Sequence, residues 1–121
     1  AEAKLYIQDM VSCGQLELVT SFMLDYENEK NRNVLNRNRI GQFMRENESY
    51  YVGNESYQII EGGAMTIMKT GIKQKDAFHI ASAIYAECAY FLTTDDRLLK
   101  YENDKILIVT PCEFIRRLEA D

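Results

Sequence analysis

Apolar positions recur at three- and four-residue steps through much of this chain, and short apolar runs interrupt them. Leu5, Tyr6, Met10 and Cys13 are spaced as one side of a helix over residues 2 to about 13, with Gly14 as its stop. Leu16 to Thr20 alternates in part and predicts a short strand. Thr20 or Ser21 then offers a cap to a helix carrying Phe22, Met23, Leu24 and Tyr26. Asn28 to Arg39 is polar and predicts a solvated corner, followed by a surface helix to about Arg45. Residues 47–56 predict a loop or a brief extended piece. Ile59, Ile60, Ala64, Ile67 and Met68 mark a helix over residues 57–69. Its Gly62-Gly63 pair costs about 1 kcal/mol per glycine relative to alanine and reads as a device for close packing rather than phosphate binding, since no Gly-rich phosphate motif surrounds it. Gly71 ends that helix.

The most organised stretch is Asp76 to Asp96. Ala77, Ala81, Ile84 and Cys88 give a helix one narrow face of small and apolar side chains, suited to lying close on a sheet. Tyr90 to Thr94 is aromatic and β-branched, the pattern of a strand covered on both faces. A connection this short makes helix and strand roughly antiparallel, so Asp76 at the helix start and Asp95 at the strand end lie at the same end of the unit. Arg97 to Tyr101 predicts a helical turn and Ile106 to Val109 a second buried strand. Pro111 opens a last helix with Phe114, Ile115 and Leu118 inward and Arg116 and Arg117 outward. Helices alternating with apolar strands predict an α/β fold, a central parallel sheet flanked by helices.

Length and composition narrow this picture. A chain of 121 residues with 46% hydrophobic and 27% charged residues makes one globular domain, residues 1–121. No apolar run has the length of a membrane span, and no signal-peptide pattern is present. The net charge of −5 argues against a diffuse positive surface for gripping nucleic acid, but suits a site that collects acids for a metal. Cys13, Cys88 and Cys112 are far apart, with no Cys-x-x-Cys pair, so buried reduced thiols in a cytoplasmic protein are expected. The chain opens inside a helical pattern at Ala1, so an upstream element is expected to be missing.

Parallel α/β sheets place their sites at the carboxyl ends of the strands, where Asp95 and Asp76 meet. Carboxylates from separate elements, without a cysteine or histidine cluster, suit hard cations such as Mg²⁺ or Mn²⁺, whose chemistry at phosphorus is hydrolysis. The competing reading makes these acids helix caps, with Asp95 or Asp96 capping the turn at Arg97. His79, the lone histidine, reads as a packed helix residue. Lys30, Arg32, Arg37 and Arg39 read as a solvated corner, with a phosphate-contacting rim as the alternative. Tyr50 and Tyr51 are candidates for stacking on bases.

Gly71-Ile72-x-x-x-Asp76-Ala-Phe-His-Ile-Ala-Ser-Ala, followed by Ala89-Tyr-Phe-Leu-Thr-Thr-Asp95-Asp-Arg-Leu-Leu-Lys, resembles the carboxyl-terminal half of PIN domains. Ile108-Val-Thr-Pro-x-Glu-Phe-Ile is similar to that family's last strand and helix, and Leu18-Val-Thr-Ser-x-x-x-x-Tyr-Glu27 to its glutamate-bearing strand and helix. The resemblance is specific from about residue 71 to 118 and loose from 30 to 60. It implies a three-layer α/β fold and a metal-dependent endoribonuclease, often the toxin of a toxin–antitoxin pair. RNA would be the substrate and an antitoxin protein or a second copy the partner. It further implies Glu27, Asp76 and Asp95 as catalytic and metal-holding residues, Asp96 as an auxiliary ligand, Asp25 as the rival of Glu27, and Thr94 as a positioning residue. The family's first strand, which ends in an Asp, has no counterpart here. The resemblance therefore implies a truncated or degenerate domain, and a non-catalytic module that binds nucleic acid or protein stands as the alternative.

Overall fold

A computed structural model describes residues 2–120. Among them the chain forms, in order, α1 (Glu2–Ser12), β1 (Leu18–Ser21), α2 (Phe22–Glu29), α3 (Val34–Asn47), β2 (Glu48–Val52), α4 (Tyr57–Met68), α5 (Gln74–Tyr85), β3 (Tyr90–Leu92), α6 (Asp96–Leu99), β4 (Leu107–Val109) and α7 (Pro111–Glu119). The helix starts follow local chemistry. Ser21 Oγ accepts from Leu24 N–H at 3.3 Å to open α2, and Asn33 Oδ1 accepts from Asn36 N–H at 3.0 Å to open α3. Thr110 Oγ1 accepts from Glu113 N–H at 3.1 Å, with Pro111 behind it, to open α7. Gly14 and Gly71 follow α1 and α4 with φ of +78° and +102°, conformations that a side chain disfavours.

The mixed α/β class and the parallel strands appear as expected, but the strands form two small sheets rather than one. β1 pairs with β2, and β3 pairs with β4, each in parallel. Of the loop or brief extended piece expected over residues 47–56, the extended piece is what forms, as β2. Glu-Ser-Tyr-Tyr-Val suits a strand only once β1 supplies its ladder, and Val52 anchors it at 1% exposure.

The core lies between α4 and α5. Ile60, Ala64 and Ile67 on the first meet Ala77, Phe78, Ile80 and Ala81 on the second. The narrow face expected for α5 is in fact a broad arc that includes Ser82, because α4 covers one side of the helix while β1 and β3 lie on the other. Cys88 falls beyond the helix end, and Ile84 is only partly buried. The close-packing role expected for the glycine pair is not needed. A Cβ built on Gly62 meets nothing within 4 Å, and one on Gly63 would touch Ala81 Cβ at an ordinary 3.6 Å.

The outer elements are barer than the pattern implied. Every residue of β3 is only half-buried, and Leu107 in β4 is 48% exposed. On α1 only Val11 is buried, while Leu5 and Tyr6 face outward. The expectation of buried thiols is corrected for two of three cysteines, since Cys13 and Cys112 are exposed and only Cys88 is partly covered. Burial pushes the Cys88 thiol up from its usual value.

Candidate functional site

Glu27 and Asp76 reach one groove from different elements, and Glu17 and Glu87 line it as well. The Ser21 cap launches α2 directly from the carboxyl end of β1, which carries Glu27 above that end. Asp76 lies in the first turn of α5, three residues after the cap position. Glu27, Asp76, His79 and Thr93 line a single groove of about 800 Å³ that runs between β1 and β3.

The cap reading divides the acids. The residue at the cap of α5 is Lys73, whose side chain makes no capping bond, so Asp76 is not a cap. Asp95 is one. Its Oδ1 accepts from Arg97 N–H at 2.8 Å and lies 3.7 Å from the Arg97 guanidinium, while its own N–H donates to Thr93 Oγ1 at 3.1 Å. Asp96 occupies the first position of α6 and is exposed. Neither Asp95 nor Asp96 lines the groove that holds Glu27 and Asp76.

Asp25, the rival of Glu27, is committed elsewhere. It receives Arg45 Nη1 at 3.1 Å and the Tyr51 hydroxyl at 2.7 Å, and Arg45 also reaches Glu48 at 3.0 Å. Thr20 Oγ1 donates to the same Glu48. This polar cluster ties α2, α3, β1 and β2 together. Burial, and then the hydrogen bond to Asp25, push the Tyr51 phenol up to about 12. The Tyr51 hydroxyl is thus tied to α2, while its side chain stays 37% exposed under the Arg45 guanidinium. Asp25, Tyr26, Tyr51 and Tyr57 border a second groove of about 730 Å³ on the other side of α2.

Glu27 is the most heavily engaged acid in the first groove. Lys75 Nζ lies 3.1 Å from its Oε2, and His79 Nε2 touches its other oxygen without the alignment of a hydrogen bond. Burial alone would push the Glu27 carboxyl up. The Lys75 hydrogen bond and the charges of His79 and Lys75 outweigh that effect and hold it below the ordinary glutamate value. Sequence reasoning placed His79 as a packed residue and passed over Lys75. Their i,i+4 spacing on α5 is the signal that one carboxylate can sit between them.

Among the described residues, no three His, Cys, Asp or Glu side chains converge as a metal-holding group. The donor chemistry of the groove is nevertheless that of a hard cation. Mg²⁺ is commonly held by one or two carboxylates, with waters and substrate phosphate completing the shell. Glu27 and Asp76 supply such a pair, provided Glu27 is freed from its two basic neighbours.

The basic corner is largely structural. Arg37 Nη1 donates to Asn31 O at 3.1 Å, and Asn28 Nδ2 donates to Arg37 O at 3.0 Å, closing the α2–α3 turn. Lys30 stacks over the Tyr26 ring at 4.1 Å. Arg32 and Arg39 are exposed. No helix among the described residues is long and apolar enough to cross a membrane. No protein-family model, no curated protein and no solved structure matches the chain.

Proposed function

We propose that the chain is a PIN-like domain, three-layered and α/β, whose acidic groove serves Mg²⁺- or Mn²⁺-dependent hydrolysis of RNA. The observation that carries this reading is that Glu27 and Asp76, from α2 and α5, line one groove between β1 and β3. The motifs from Gly71 to Leu118, which imply Asp76, and the one from Leu18 to Glu27, which implies Glu27, support it. Glu27 and Asp76 would hold the ion. Asp95, at the adjoining strand end, and its neighbour Asp96 would join through water or after releasing the cap.

A divalent ion supplies Lewis acidity toward a phosphate oxygen and a more acidic bound water. The chain's own residues prepare the charge. Lys75 and His79 keep Glu27 ionised where burial opposes ionisation. Asp76, free of a capping role, remains open to a cation. RNA is the proposed substrate, and an antitoxin protein the partner if the domain is a toxin.

A second reading is favoured by one specific feature. Glu27 already has two basic neighbours, so the cluster suits a non-catalytic module that binds RNA or protein. Calorimetric titration with Mn²⁺ separates the two. Under the nuclease reading the wild-type chain gives a binding heat, and Asp76→Asn and Glu27→Gln each weaken affinity at least tenfold. Equal heats for all three proteins would remove the metal site and leave the binding module.

A further inference from the structure

The groove of about 730 Å³ backs onto the acid groove across the contact between α2 and α5. Adjacent residues of each helix serve opposite sides. Tyr26 lines the second groove and Glu27 the first, while Lys75 lines the second and Asp76 the first. The volume falls within the range of about 300–1,000 Å³ usual for small-molecule sites. Its lining differs from that of the acid groove, where aliphatic side chains are the commonest. Here Phe22, Tyr26, Tyr51, Tyr57 and Phe78 are aromatic, and Met23 is the one aliphatic lining residue among the described residues.

The rings are held in place. Phe22, Tyr57 and Phe78 form a continuous run, with centroids 5.9 Å and 5.6 Å apart and tilted planes. Phe78 is buried and anchors this run to the α4–α5 core. Tyr57, the first residue of α4, keeps 40% of its surface in solvent. Packing has already ordered its side chain, so little conformational entropy remains to be lost when a flat group stacks on it.

The polar groups beside that ring suit a nucleotide. Asn54, between β2 and α4, and Gln74, at the start of α5, are exposed carboxamides, each with donors and an acceptor for a base edge. Asp25 is taken up by Arg45 and Tyr51, which leaves Glu29 with Lys30 and Lys75 as the other charged groups of the lining. Lys75 links the two grooves, because its Nζ lies 3.1 Å from Glu27 Oε2 while its side chain is 56% exposed. An ammonium has donors beyond the one that Glu27 takes, so Lys75 can also meet a phosphate.

A docked protein helix is held by apolar anchors in an apolar groove, which a single methionine among aromatic and polar side chains does not supply. A single-stranded nucleic acid is held by aromatic rings under its bases, hydrogen bonds to the base edges and cations along its backbone. We infer that the second groove is a nucleobase subsite. It takes one base of a single-stranded RNA, stacked on Tyr57, with the adjoining phosphate at Lys75 and the strand continuing into the groove of Glu27 and Asp76. The inference rests on the reading of RNA as the substrate, and it moves base recognition out of the acid groove to the other side of α2.

The test uses the 121-residue chain with a chelator in place of divalent metal and a fluorescently labelled single-stranded oligoadenylate. Its affinity, read by fluorescence anisotropy, is expected to fall about tenfold in Tyr57→Leu, the scale of one lost stacked base. Tyr57→Phe keeps the ring and is expected to bind as the wild type does. Lys75→Met is expected to weaken binding and to reduce the slope of log affinity against log salt by about 0.7, the share of one phosphate on a single strand. Unchanged affinity in Tyr57→Leu would overturn the inference. So would adenosine 5′-monophosphate binding as tightly as the oligonucleotide, which would make the groove a free-nucleotide pocket. Absence of oligonucleotide binding to the wild type would also overturn it and leave the groove to a protein partner. If Tyr57→Leu does not fold, NMR of the wild type decides: a stacked adenine moves the Tyr57 ring protons upfield, and unmoved resonances would refute the stacking. Metal takes no part in these readouts. Oligonucleotide binding without a Mn²⁺ heat would keep the subsite and remove hydrolysis, and a Mn²⁺ heat without oligonucleotide binding would do the reverse.

Discussion

Glu27 occupies the position where three influences compete: partial burial, a lysine hydrogen bond and a neighbouring imidazole. Because its folded pKa is depressed, the sign of its pH effect is determined. Its contribution to stability is fully present above the unfolded glutamate value of about 4.3 and is lost as pH falls through the lower folded value. Lys75→Met removes the hydrogen bond and one positive charge, leaving burial less opposed. The Glu27 pKa is expected to rise in this variant, followed through its carboxyl carbon by NMR titration, and the acid limb of the unfolding profile should move to higher pH. An unchanged Glu27 titration would mean that Lys75 does not set its charge. Asp76 contrasts with this residue, since Lys73 holds the cap position of α5 and leaves the Asp76 carboxylate without that task.

At the scale of elements, two glycines carry opposite predictions. Gly62 lies within α4 with no atom within 4 Å of a built Cβ, so Gly62→Ala should stabilise the protein by about 1 kcal/mol. Gly71 follows α4 at φ +102°, so Gly71→Ala should destabilise it by about 1–2 kcal/mol. Urea unfolding of the two variants measures both signs, and a shift in the same direction for both would contradict this account of the helix and its exit. Gly63 stands between them, with a Cβ position in ordinary contact with Ala81. The helices themselves were legible because their periodicity and caps are local: Ser21, Thr110 and Pro111 act within a few residues. β2 was left open between a loop and a brief extended piece, because Glu48 to Val52 has the partial β propensity of many loops and becomes a strand through its pairing with β1, 30 or 31 residues away in sequence.

For the molecule as a whole, the α4–α5 seam is the part on which the rest depends. Ile80 is fully buried where α5 faces Ile60 and Ala64. Ile80→Ala should cost about 2–5 kcal/mol, the range for deleting a large aliphatic side chain from a core. Chemical denaturation gives the value, and a loss under about 1 kcal/mol would show a seam able to collapse around the gap. Around this seam the two small sheets and α1 remain partly uncovered. That arrangement explains why β3, apolar in sequence, is half-buried throughout.

The sequence by itself determined the helices, most of their ends and the parallel α/β class. All of these rest on spacing within a few residues. Only the tertiary structure decided which acids share a groove. It set Glu27 against Lys75 and His79, committed Asp25 to Arg45 and Tyr51, and made Asp95 a cap. It also divided the strands into two sheets with a groove between them. These outcomes depend on distances between segments remote in sequence. Such distances are set by how the whole core packs, which no local pattern encodes.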